Sequence, residues 1–122
     1  LHTSHRMLRD RPEIVQRMVA AFAEIVHFVE KNPDKAKASI AKAMRTKDQE
    51  ALQSAYDVYA REILDRTMVV PGKAVVEAVD LARESGTVIR RKPEDIYDNS
   101  FVFNLEKSGF LKEVWGGEGY KR

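Results

Sequence analysis

The sequence predicts a mainly α-helical protein with two short extended links, and three observations carry that expectation. Apolar residues recur at three- and four-residue steps through long stretches, the spacing of one helix face. Prolines and capping residues stand at the starts of those stretches, and glycines at their ends. Only residues 67–70 and 87–90 combine β-branched side chains with a loss of that period.

The longest periodic element opens at Pro12, a residue favoured at the first helical position, with Asp10 or Arg11 before it as cap. Ile14, Val15, Met18, Val19, Phe22, Ile25, Val26 and Val29 form a wide apolar stripe. The helix should end near Lys31, because a residue before proline, here Asn32, is pushed away from the helical region. A second helix restarts at once, with Asn32 as cap, Pro33 first, and Asp34 at the positive helix end. Ile40 and Met44 are its large apolar residues, and Ala36, Ala41 and Ala43 leave room for a close neighbour. Thr46 and Gln49 have the spacing of a capping box. The helix they open carries Ala51, Leu52, Ala55, Tyr56, Tyr59 and Ile63 on one face.

Met68, Val69 and Val70 precede Pro71 and read as the first extended link. A fourth helix then carries Val75, Val76, Val79, Leu81 and Ala82, with Gly86 as a left-handed stop. Thr87 to Lys92 form the second link, and Pro93 begins a single helical turn. Asn99 or Ser100 caps a last helix through Lys107, which Gly109 ends. Residues 116–122 read as a loose tail. There is no internal repeat and no low-complexity block.

Composition narrows the class. Hydrophobic residues make up 43% and charged residues 33%, the balance of one folded domain rather than a disordered chain. The net charge is +2 with basic and acidic residues interleaved, so no nucleic-acid partner is expected. Arg90-Arg91-Lys92 reads as a solvated turn. The absence of cysteine excludes a disulfide framework and a cysteine nucleophile. No run approaches the ~18 apolar residues of a membrane span, and no signal-peptide pattern is visible. The chain opens Leu1-His2-Thr3 without a methionine, so residues are expected to precede it.

Chemistry-bearing patterns are few. His2 and His5 have a metal-compatible spacing but no third ligand near them, and metal binding is not expected. His27 lies beside the apolar stripe and reads as a helix-boundary histidine. Asp95 and Asp98 are close enough for a carboxylate pair, but both stand where caps belong. Ser4, Ser39, Ser54, Ser85, Ser100 and Ser108 lie in no Gly-x-Ser-x-Gly context. Gly116-Gly117 follows a helix rather than preceding one, the wrong side for a phosphate cradle. Tyr56, Tyr59, Phe22 and Phe28 at helical spacing read as core, and Trp115 as the anchor of the tail. The residues assign no catalytic group, metal ligand, cofactor or enzyme activity, and no ligand-binding residue.

Three stretches carry a resemblance. They are "RDRPEIVQRMVAAFAEIVHFVEKNPDKA", "QSAYDVYAREI" with the Met-Val-Val-Pro link behind it, and "KPEDIYDNSFVFNLEKSGF". In order and spacing, from about residue 5 to about residue 115, they resemble the carboxyl-terminal part of ABC-importer solute-binding proteins of the nitrate, sulfonate and taurine type. That family includes binding proteins for thiamine-precursor pyrimidines. The ending matches at Asp95, Asp98, Ser100, Phe101, Leu105, Gly109 and Phe110. The resemblance implies that residues 1–122 are the helical carboxyl-terminal portion of a type II periplasmic-binding-protein-like fold. A family member has two α/β lobes around a cleft, and neither full lobe is present here. No binding residue of the family is carried over, because the matching positions look structural.

The resemblance therefore implies an extracytoplasmic or periplasmic protein that closes on a small, often anionic solute and delivers it to an ABC permease. The strands and most cleft-lining loops would lie upstream of Leu1. The alternative is an independent helical interaction or oligomerisation module, pairing through the stripe of residues 14–29. Either way the isolated chain is expected to self-associate, because Val15, Met18, Phe22, Ile25, Val26 and Val29 would lack a covering layer.

Overall fold

Each long periodic segment is a helix in the computed structural model, which describes residues 1–116, 119 and 120, with Arg61 described by its backbone alone. Helix accounts for 71% of the described residues, and no strand forms among them. The helices are α1 (His5–Asp10), α2 (Pro12–Lys31), α3 (Pro33–Met44), α4 (Gln49–Tyr56), α5 (Gly72–Glu84), α6 (Ser100–Lys107) and α7 (Phe110–Trp115). A π-helical stretch, Asp57–Ile63, prolongs α4, and a 3-10 turn, Pro93–Asp95, precedes α6.

The 20-residue α2 is the axis of the fold, with α1, α3, the π-helical stretch, α6 and α7 packed along it. Its inner residues Val15, Ala23 and Val26 are buried. Ala23 meets Leu105 and Leu111 in one cluster, flanked by Val19, Ala20, Met68, Phe110 and Tyr120. Val29 packs against a second cluster of Ala36, Tyr56 and Ala60. Small residues in both clusters let the helix axes approach, as the alanine-rich α3 sequence implies. Each fully covered large aliphatic side chain contributes roughly 1.5–3 kcal/mol.

The six-residue seam expected to stay uncovered is half closed by the chain's own helices. Val15 and Val26 are buried and Phe22 and Val29 half-buried, whereas Met18 and Ile25 remain exposed. The physical reason is that the stripe is wide enough to serve two faces. One lies against α6, α7 and the π-helical stretch; on the other, Met18 and Ile25 stay open to solvent.

Helix ends follow the expected residues, with different hydrogen bonds. Asn32 does not cap α3. Its side-chain amide and its backbone N–H both donate to the Phe28 carbonyl, closing α2 instead. Tyr56 Oη donates to the neighbouring Val29 carbonyl at 2.9 Å, so two open acceptors at the end of α2 are satisfied. The α4 cap is Asp48, whose Oδ1 accepts from Ala51 N–H at 3.0 Å, rather than a Thr46–Gln49 box. Thr46 Oγ1 accepts from Asp48 N–H, one step upstream. Gly86 takes φ +89°, and the N–H groups of Gly86 and Thr87 return to Arg83 and Ala82, a Schellman closure of α5. Gly109, at φ +83°, ends α6 and starts α7.

The remaining departures are local. The chain ahead of Pro12 forms α1, capped by Ser4 Oγ accepting from Met7 N–H. The first link is not extended throughout, since Met68 has φ +54°. Asn99 is no side-chain cap for α6; its amide accepts from Val70 N–H at 2.9 Å and donates to Val70 O at 3.0 Å. That pair of bonds ties the first link to the start of α6. The expected loose tail holds α7 in front of it, and Tyr120 Oη donates to Glu106 Oε1 at 2.7 Å. Residues 117, 118, 121 and 122 of that tail lie outside the described residues.

Candidate functional site

The residues singled out for chemistry fall mostly into structural roles. His2 and His5 are exposed at the amino-terminal end, and no group of three metal-competent side chains forms among the described residues. Asp98 Oδ1 accepts from Ser100 N–H at 2.8 Å at the start of α6, as a capping residue does. Asp95 sits in the 3-10 turn, exposed. The hydroxyls of Ser39, Ser85 and Ser108 donate to carbonyls three or four residues back, so none is presented as a nucleophile. The four aromatics divide between interior and surface. Tyr56 is buried and Phe22 half-buried, while Tyr59 is 59% and Phe28 43% exposed. The Arg90-Arg91-Lys92 turn is exposed.

Trp115 is the end of α7 rather than part of a tail, and it is 3% exposed. The His27 ring meets it edge-on, with centroids 4.8 Å apart and planes at 89°. The Arg66 guanidinium lies over the indole at 4.5 Å from its centre. Arg66 also grips Glu30 through both of its carboxylate oxygens, with Nε to Oε2 at 3.0 Å, and donates from Nη1 to Gly119 O at 3.2 Å. His27 and Glu30 are three apart on α2, which puts them on one face. This group joins α2, the chain just ahead of the first link, α7 and the chain beyond it. Its cation and anion satisfy each other, so it acts as a bolt rather than an anion site. Indole Nε1 is buried and has no hydrogen-bond partner among the described residues. The Trp115 anchor was legible in the sequence. Arg66 was not, because it lies in a non-periodic link 36 residues from Glu30.

Two clefts open on the surface. One, of about 320 Å³, is lined by Glu62, Leu64, Asp65 and Thr67. Both Asp65 oxygens are taken, accepting from Thr67 N–H and Thr67 Oγ1 at 2.9 Å. The other, of about 400 Å³, is lined by Ser4, Arg6, Met7, Asp10 and Arg11, where Asp10 pairs with Arg6 and Arg9. Their volumes suit a small ligand, but both stand open to solvent with few apolar walls, unlike a site that encloses its ligand.

The more unusual feature is surface. The chain exposes 9187 Å², whereas a compact chain of 13.9 kDa exposes about 6,700 Å². Large apolar side chains share in this excess. On α2, Ile14, Met18, Ile25 and Phe28 are 40%, 56%, 52% and 43% exposed. Elsewhere Tyr59, Ile63, Leu81, Val88 and Phe103 are all at least half exposed. Among the described residues no helix is long and apolar enough to cross a membrane. No family model, curated protein or solved structure matches this chain.

Proposed function

We propose that this chain is the helical carboxyl-terminal portion of an extracytoplasmic solute-binding protein serving an ABC importer. Its solute is small and often anionic, of the sulfonate, taurine, nitrate or pyrimidine kind. The helices act as the scaffold of one lobe, and the solute cleft is built mainly from residues outside them. The observation that carries this reading is the surface. About 2,500 Å² more is exposed than a compact chain of this mass leaves in water. Away from α2, Tyr59, Ile63, Leu81, Val88 and Phe103 take part, as expected of a helical layer that rests on another body. The resemblance of the three sequence stretches supplies the identity of that body, an α/β lobe. The two open clefts and the internally paired Arg66–Glu30 group are consistent with a scaffold role.

The coding sequence upstream of Leu1 tests this. The proposal expects roughly two hundred residues of α/β pattern with an export signal. A start codon close to Leu1 would overturn it and favour a self-standing helical interaction module.

A further inference from the structure

The exposed face of α2 has the pattern of a helix-pairing seam. Ile14, Met18, Ala21, Ile25 and Phe28 follow one another at steps of four, three, four and three, and all five are exposed. That is the heptad spacing by which one helix packs along another, and it spans about 22 Å of α2. A flat sheet asks for no such period. The core stripe of the same helix, with Val15, Ala23 and Val26 buried and Val19 half-buried, lies beside it, so α2 carries a core face and a seam together.

We propose that the seam is covered by the same seam of a second copy of this chain, in an antiparallel two-fold pair. Charge complementarity sets both direction and register. The seam is flanked on its outer side by Arg17, Glu24 and Lys31, all exposed. In one antiparallel register Ile14 meets Ile25 of the second copy, and Met18 meets Ala21. A large residue then faces a small one, and Arg17 lies opposite Glu24 on both sides of the axis. Sliding by one heptad sets Glu24 against Glu24 and Arg17 against Lys31. Parallel pairing places Arg11 beside Arg11 and Asn32 beside Asn32 at seam positions, and forms no Arg17–Glu24 bridge. This pairing does not rest on the solute-binding reading and goes beyond it.

Sedimentation of the 122-residue chain tests it. The wild-type chain is a dimer, and Ile25→Asp is a monomer whose helical circular dichroism is unchanged, because Ile25 is not part of the core. Arg17→Glu and Glu24→Arg each weaken the dimer about tenfold, since each turns two attractive contacts into repulsive ones. Combining the two restores wild-type affinity. A wild-type chain that is monomeric at high micromolar concentration overturns the pairing and leaves the face to another partner. A double variant no tighter than the single ones overturns the antiparallel register.

Discussion

Trp115 shows how a single side chain fixes the end of this chain. Its indole is covered by His27 and Arg66, yet its Nε1 has no acceptor among the described residues. The ring is therefore held for its bulk and its π face rather than for its N–H. Trp115→Phe should cost about 1–1.5 kcal/mol, because it leaves a small cavity but keeps an aromatic face and removes an unsatisfied donor. Trp115→Ala should cost about 3–5 kcal/mol. Chemical denaturation of the two variants checks this, and equal losses would contradict it. Asn99 makes a different kind of tie, with its amide bonded to both the N–H and the carbonyl of Val70. Asn99→Ala should lower stability by about 1 kcal/mol. Asn99→Asp should be no better, because it keeps the acceptor but places a carboxylate against a carbonyl. An unchanged urea midpoint in Asn99→Ala would show that the link holds without it. Neither tie is legible in the sequence. A tryptophan near glycines marks an anchor, but nothing local names Arg66 or Val70 as the partner.

Among the elements, boundaries set by backbone constraint were the legible ones. Pro12 and Pro33 start α2 and α3, and Gly86 and Gly109 stop α5 and α6, because proline fixes φ and glycine tolerates positive φ. Gly86→Val should cost about 1–2 kcal/mol through backbone strain alone, since a Cβ there meets open space. Thermal unfolding monitored at the helical band checks it, and an unshifted midpoint would contradict the left-handed stop. Boundaries set by competing side chains were less legible. Thr46 and Asp48 are both able to cap, and the aspartate wins. Asn32 turns back to α2 instead of forward to α3. The π-helical stretch was also hidden. Leu64 N–H returns to Tyr59 O, five residues back, and an apolar pattern does not distinguish that register from an α-helical one. The short helices α1 and α7, of six residues each, carry too few turns to show a period.

At the scale of the whole molecule, the mainly helical class was legible because caps and periodicity agree along most of the chain. The division of the α2 stripe into a buried and an exposed face was not, since both faces are apolar and only the packing of α6, α7 and the π-helical stretch separates them. The capping role of Asp98 was legible, whereas the local bonds of Ser39, Ser85 and Ser108 to preceding carbonyls were not, since a serine hydroxyl carries no local pattern that names its acceptor. What the molecule leaves open to water is therefore more informative than any side-chain cluster in it. The central proposal is that these helices are a scaffold whose solute site is completed by residues upstream. Calorimetry tests it most directly, with taurine, an alkyl sulfonate, nitrate and a pyrimidine precursor titrated in turn into two samples. One is the 122-residue chain; the other is the same chain extended by its upstream-encoded residues. The account predicts that the extended protein binds one of these solutes while the 122-residue chain gives no binding heat with any. Micromolar binding by the 122-residue chain, or no binding by the extended protein, would contradict it.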